Sequence, residues 1–232
     1  QNKETTKYLK SLGSNKIKFI GNLKFSESKT QKNNNIDSNL KKIFKSKKIW
    51  CAASTHDAEE KICVLAHKKL KNKYNNLLTI IIPRHIQRTN DIINEIKNLD
   101  FKTQTHSANS KINKSTEIYL VDTYGETNSF FKICKTVFLG GSLINHGGQN
   151  PLEPARFGCK IFHGPYIQNF TEIYKLLNQN NLSAKFNNVN QLVKLIDQSF
   201  KKNHNYTNKT IKLKKIGSNI LNHTLADINY YL

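Results

Sequence analysis

Two hydrophobic patterns alternate along this chain. Short apolar runs read as strands, and stretches with apolar residues three or four apart read as helices. NLLTIIIP (76–83) is apolar throughout and ends at Pro83, as a strand covered on both faces of a parallel sheet would be. KIKFIG (16–21), KIWCAAS (48–54), FKTQTHS (101–107), EIYLVD (117–122), TVFLGGS (136–142), KIFHG (160–164) and SAKF (183–186) read as further strands.

Helical spacing covers NLKKIFKS (39–46), residues 57–74, TNDIINEIKNL (89–99), GETNSFFKIC (125–134), NFTEIYKLLNQ (169–179), VNQLVKLIDQSF (189–200) and residues 206–232. In 57–74 the periodicity puts Ile62, Leu65, Ala66 and Leu70 on one face. Thr55 or Asp57 is the expected cap, and Glu59 and Glu60 complement the helix dipole in the first turn. NPLEPARFG (150–158) has Pro near its start and Gly at its end, a start-and-stop pair for a short helix. The polar stretch 26–39 reads as a linker or exposed loop. Alternating strands and helices predict an α/β fold: a Rossmann-like parallel sheet with helices on both faces.

Ligands of such sheets bind outside the carboxyl ends of the strands. The unusual residues of this chain fall there. Ser54-Thr55-His56 and Pro83-Arg84-His85 follow two strands; Asp122 to Glu126 and Gly140-Gly141-Ser142 follow two others. Against a Lys/Asn/Ile background there are three arginines, Arg84, Arg88 and Arg156, and all four prolines lie near them. Seven of the ten glycines lie between Gly125 and Gly164. Bidentate and backbone roles of this kind are ones that Lys and Asn cannot copy.

The 232 residues carry 37 Lys+Arg against 16 Asp+Glu, a formal charge of +21. Such a surface is either simply solvated or drawn to something anionic: nucleic acid, a membrane surface or a phosphorylated substrate. Aromatic residues do not interleave with the lysine runs as stacking platforms would, and no RNP or helix-turn-helix pattern is present, so nucleic acid is not the expected partner. No run approaches the roughly 18 apolar residues of a membrane span. Cys51, Cys63, Cys134 and Cys159 lack zinc spacing and read as reduced thiols, with Cys134 and Cys159 in packing roles.

The expected helix starts near Gly125 and Asn150 suit a phosphate, Arg84 can grip a phosphate or carboxylate with two N–H groups, and Glu153 can accept from sugar hydroxyls. GxGxxG, Walker and DxD patterns are absent, so neither a dinucleotide nor a metal is expected. His56 and His85 are equally readable as structural or as ligand contacts, His146 favours contact, and His67 reads as surface. Asp122 is as readily a helix cap as a contact.

GNLKF (21–25), ASTHDAEE (53–60), IIPRHIQR (81–88), DTYGE (122–126), VFLGGSLINHGGQNPLEPARFG (137–158) and GPYIQNF (164–170) occur in one order. In these segments the chain resembles the C-terminal half of the 3-deoxy-D-manno-octulosonic acid (Kdo) transferase family, the lipid A Kdo transferases. The resemblance spans residues 12–200 and is densest from 50 to 170.

It implies the donor-binding domain of a GT-B glycosyltransferase. The activity implied is inverting, metal-independent transfer of Kdo from CMP-Kdo to the lipid A precursor lipid IVA, in lipopolysaccharide synthesis, on the cytoplasmic face of the bacterial inner membrane. Implied donor contacts are Pro83 and Arg84; Gly125, Glu126 and Thr127; Gly141 and Ser142 on the phosphate side; and Asn150, Pro151, Leu152 and Glu153. Lys24 would stabilise charge on the departing CMP. Residues 1–25 would end the acceptor domain and connect it onward, 26–205 would bind donor, and 206–232 would form a C-terminal helix. The family's general-base glutamate and membrane-associated segment are expected in a further domain, so this chain alone is expected to bind donor without transferring it. The sequence departs from the family at Ile86, where Pro is expected, at Gln149 for His, and at Ser26 for Asp. Two other readings remain at this point: a GT-B enzyme or epimerase using a UDP sugar, and a basic module binding nucleic acid or membrane without catalysis.

Overall fold

The computed structural model describes residues 3–26, 36–107, 112–202 and 207–231. It divides into two compact units, Asn33–Asn205 and Gln1–Lys32 with Tyr206–Leu232. Most of the expected linker 26–39 lies outside the described residues.

The larger unit is a seven-stranded, wholly parallel sheet. Its strands are β1 (Lys48–Thr55), β2 (Leu77–Pro83), β3 (Thr103–Thr105), β4 (Ile118–Leu120), β5 (Thr136–Leu139), β6 (Lys160–His163) and β7 (Ser183–Lys185). Their spatial order is β3-β4-β2-β1-β5-β6-β7. The order reverses beside β1, which pairs with β2 on one side (Cys51 opposite Ile80) and β5 on the other (Cys51 opposite Val137). Every residue of β2 is buried, which is why its sequence reads as an unbroken apolar run. The short strands β3 and β7 close the edges, and seven of the eight runs read as strands join this sheet.

Helices of this unit are α2 (Ser38–Lys45), α3 (Glu59–Lys71), α4 (Thr89–Lys97), α5 (Thr127–Ile133), α6 (Leu152–Arg156), α7 (Thr171–Gln179) and α8 (Val189–Lys201). Trp50, Ala52, Phe138, Phe162 and Phe186 pack with Cys63, Ala66 and Leu70 of α3 and with Leu192 and Ile196 of α8. All four cysteines are free and buried.

Three local expectations change. The buried positions of α3 include Cys63, Ala66, His67 and Leu70, a stripe offset from the expected one, so His67 is fully buried rather than on the surface. Its Nδ1 lies 2.8 Å from Thr79 Oγ1 on β2, and its ring packs edge-on against Phe101. Neither Thr55 nor Asp57 caps α3. The residue before it is Ala58, in the left-handed region at φ +67°, with no side-chain cap. Asp122 accepts from the Ser107 backbone N–H (2.8 Å) and hydroxyl instead of capping α5.

In the smaller unit, α1 (Lys3–Ser11) precedes an irregular segment and a 3-10 turn at Leu23–Phe25, and α9 spans Thr207–Tyr231. The expected strand at 16–21 is absent, because all seven strands belong to the other unit and a lone strand has no ladder to join. This segment instead follows α9. A Cβ on Gly21 would come within 2.8 Å of Ile220, and one on Gly217 within 2.1 Å of the Phe25 carbonyl. Lys18 pairs with Asp227.

Candidate functional site

The four strand ends singled out by the sequence belong to β4, β2, β1 and β5, which are consecutive in the sheet. Backbone bonds continue past the strands. Val121 N–H donates to Ile81 O (2.8 Å), Arg84 N–H to Thr55 O (2.9 Å) and Gly140 N–H to Ala53 O (2.9 Å). These residues thus form one continuous rim at the point where strand order reverses.

The end of β1 is locally strained. Ser54, at a bulge against β2, has φ +55°, and Ala58 has φ +67°. Between them, His56 faces two other imidazoles, with ring centroids 4.5 Å away at His146 and 5.7 Å at His85. Burial first, then the charges of His146, His85, Arg84 and Arg88, lower the His56 pKa to about 4. The ring is therefore neutral at physiological pH, and its Nε2 lies 3.2 Å from Gln149 Nε2, which donates to it. Gln149 thereby anchors the far end of the glycine loop to β1.

That loop, residues 140–150, uses left-handed conformations at Gly141, Gly147 and Gly148 (φ +64°, +95° and +80°). Gly148 N–H donates back to Gly141 O at 2.8 Å. Glu59 from α3 enters beneath it. Its Oε2 accepts from Gly141 N–H (2.7 Å) and His56 N–H (2.9 Å), and its Oε1 from Leu143 (2.9 Å) and Ser142 (3.1 Å). Ser142 is wholly buried: its hydroxyl donates to Leu139 O (2.7 Å) and accepts from Gly164 N–H (2.9 Å). Gly141 and Ser142, expected to line the phosphate side, thus give their amides to an internal carboxylate.

The exposed Arg84 side chain acts electrostatically on both His56 and Glu153. Glu153 is half-buried. Desolvation raises its pKa, against the opposing charge of Arg156, a hydrogen bond from Asn150, and Arg84. Asn150 Oδ1 also accepts from Leu152 N–H at 3.2 Å, setting the start of α6. Pro83, Pro151 and Leu152 are buried, so they shape the rim from behind. Helices α5 and α6 are short, at 7 and 5 residues, so local side chains and backbone groups carry more of any anion attraction than a macrodipole does.

At the β4 end, Gly125 (φ +84°) is exposed, with open space around its Cβ position. Thr127 begins α5, while Glu126 is engaged inward by His106 Nε2 (3.0 Å) and the Thr123 hydroxyl. Lys24 belongs to the smaller unit, in its 3-10 turn, where its N–H donates to Asn22 Oδ1 at 3.0 Å. Among the described residues no three His, Cys, Asp or Glu gather as metal ligands.

The structure therefore draws Arg84, Asn150, Glu153 and the glycine loop to one rim, with Gly125–Thr127 beside β2. It adds Glu59 and Glu60, read from the sequence as dipole complement, Arg88, read as one of three unusual arginines, Gln149, read as a departure, and His106, which the sequence did not single out. A signal for Glu59 was present: it lies four residues before Cys63, on the stripe that α3 buries.

No protein-family model matches the chain. A 3-deoxy-D-manno-octulosonic acid transferase of Haemophilus influenzae is 37% identical over 70% of this chain and 38% of its own length. The corresponding transferase of Rickettsia conorii is 30% identical over 92% of this chain and 47% of its own. The chain thus spans less than half of either relative. Among solved structures, the C-terminal CMP-Kdo binding domain of WaaA from Acinetobacter baumannii superposes with a TM-score of 0.65 at 27% identity, covering 77% of this chain and 91% of that domain. A trehalose 6-phosphate synthase of Burkholderia multivorans, at TM-score 0.53 and 10% identity, shares the fold alone. The seven-stranded parallel architecture, the motifs along its reversal point and these relatives agree: the chain belongs to the 3-deoxy-D-manno-octulosonic acid transferase family and matches the C-terminal domain of that family.

Proposed function

We propose that this chain is the donor-binding part of a glycosyltransferase that moves Kdo from CMP-Kdo to the lipid A precursor lipid IVA in lipopolysaccharide synthesis. The observation that supports it most is the exposed guanidinium of Arg84 at the end of β2, whose charge acts on the half-buried Glu153, itself hydrogen-bonded by Asn150, beside the glycine loop. A cation next to a carboxylate and an amide suits a nucleoside monophosphate: Arg84 takes the phosphate, while Glu153 and Asn150 take ribose hydroxyls. Gly125 to Thr127 give room at the neighbouring strand end. Pro83, Pro151, Leu152 and Ser142 fix the walls, and Gly141 holds the turn.

In the transfer step an acceptor hydroxyl attacks the anomeric carbon of Kdo from the face opposite the phosphate. Its proton passes to a carboxylate of the acceptor domain. The bond from the anomeric carbon to the phosphate oxygen breaks, and its electron pair leaves with CMP. Negative charge grows on that phosphate in the transition state, where Arg84 stabilises it more than in the ground state. The step needs neither a metal nor a cofactor. The reading places the enzyme at the cytoplasmic face of the inner membrane, where its lysine-rich surface meets anionic lipid. No described helix is long and apolar enough to cross a membrane.

A thermal-shift comparison tests the choice of donor. Ligand binding to the folded chain raises its melting temperature in proportion to ln(1 + [L]/Kd). CMP is expected to protect and UDP to have little effect; protection by UDP alone would reassign the donor to a UDP sugar.

A further inference from the structure

The most enclosed charge facing this site belongs to none of the expected ligand contacts. Glu59 is completely buried, yet both carboxylate oxygens are filled by four backbone N–H groups. Three of these, from Gly141, Ser142 and Leu143, are consecutive and begin at a left-handed glycine. Such a run forms a concavity that binds anions. In this chain the anion is internal, supplied from α3, and the fourth amide, from His56, ties the same carboxylate to the end of β1. Burying a carboxylate is costly unless its lone pairs are taken up, and here they are.

The glycines beside the carboxylate are tightly enclosed. A Cβ on Gly140 would come within 2.7 Å of Glu59 Oε2 and 2.4 Å of Ser54 O. One on Gly164 would come within 2.1 Å of Ser142 O. Both glycines let the loop close over the carboxylate. The next residue, Glu60, points elsewhere, to Arg88 in the turn after β2. The two adjacent carboxylates thus hold the strand-end loops on opposite sides of β1.

We propose that Glu59 is a positioning residue for nucleotide binding: its carboxylate, and not the ligand, sets the conformation of the glycine loop, so that the rim is formed before the donor arrives. This rests on the reading of the site as a nucleotide site. Ligand phosphate then meets Arg84 rather than the loop amides, which are already bonded. Replacing Glu59 by Gln keeps the shape but leaves one carbonyl oxygen for two of the four donors and turns an amide NH2 toward the other two.

Hydrogen exchange of the 232-residue chain, read residue by residue with and without CMP, tests the idea, with Glu59→Gln and Glu60→Gln compared in parallel. In the unliganded wild type the amides of Gly141, Ser142 and Leu143 are expected to exchange slowly, and CMP to add little protection. Glu59→Gln is expected to speed their exchange and to weaken CMP binding, each by about tenfold or more, as expected from losing hydrogen bonds to a charged group. Glu60→Gln, in the same helical turn, is expected to leave those three amides unchanged, so a general loosening of α3 cannot imitate the result. Fast exchange in the free wild type that slows only with CMP would overturn the proposal even if Glu59→Gln fails to fold. Normal CMP affinity in a folded Glu59→Gln chain would also overturn it. If the wild type ignores CMP while its loop amides are slow, the nucleotide reading fails, and Glu59 fixes the loop for some other purpose.

Discussion

The guanidinium of Arg88 donates to Glu60 Oε1 at 2.9 Å, joining the turn after β2 to the first turn of α3, and its second nitrogen donates to Asp57 at 2.8 Å. Glu60 is 1% exposed, so this is a paired, buried carboxylate and not a surface ion pair. Of the three arginines, Arg88 therefore builds the candidate site, whereas the side chain of Arg84, four residues earlier, is exposed.

Removing Arg88 isolates the Glu60 charge. Arg88→Ala is expected to destabilise the chain by about 3 kcal/mol in urea unfolding, as breaking a buried pair does. Arg88→Lys should cost less, because one ammonium replaces only part of the fork. Burial already raises the Glu60 pKa despite Arg88, and loss of Arg88 raises it further. A carboxyl whose pKa is higher folded than unfolded loses its contribution as pH rises through the folded value. The Arg88→Ala deficit is therefore expected to be larger at pH 8 than at pH 5; an equal deficit at both would contradict the burial of that charge.

His67 gives the opposite slope. Burial lowers its pKa from 6.5 to about 4. Between these values the unfolded chain binds a proton that the folded chain does not, so stability present above pH 6.5 is lost as pH falls toward 4. The loss from this residue is on the order of 3 kcal/mol. His67→Gln should flatten the pH dependence of unfolding across that window; an unchanged curve would show that His67 titrates normally.

The glycines divide into two kinds. Gly140→Ala drives a Cβ into Ser54 O, Thr55 Cα and Glu59, and is expected to cost several kcal/mol and remove CMP binding. Gly125→Ala meets nothing, so it carries only the left-handed backbone penalty, about 1 kcal/mol. Calorimetric melting of the two variants separates these expectations.

Much of the fold was legible because β2 and its neighbours are buried on both faces, so their apolar runs and the intervening helical periods are hard to read otherwise. The candidate site was legible for a different reason: Arg, Pro and Gly stand out against a Lys/Asn background, and they gather at strand ends that prove consecutive in the sheet. What stayed hidden depends on partners distant in sequence. Glu59 is 82 residues from Gly141, and a glutamate at a helix start reads equally well as solvent-facing dipole complement. His67 looked polar, although it completes the buried stripe with Cys63 and Leu70. The segment 16–21 has strand-like residues, but a strand also needs a neighbour, and its own sequence does not reveal that glycines bring it against α9.

The most direct measurement is a calorimetric titration of the 232-residue chain with CMP, with UMP as control and Arg84→Ala alongside. The account predicts that CMP binds more tightly than UMP and that Arg84→Ala weakens it about tenfold or more, the loss of a charge-assisted contact to phosphate. Circular dichroism confirms that each sample is folded. A folded wild-type chain that ignores CMP, or an Arg84→Ala chain that binds it as well as wild type, would contradict the assignment of this rim as the donor site.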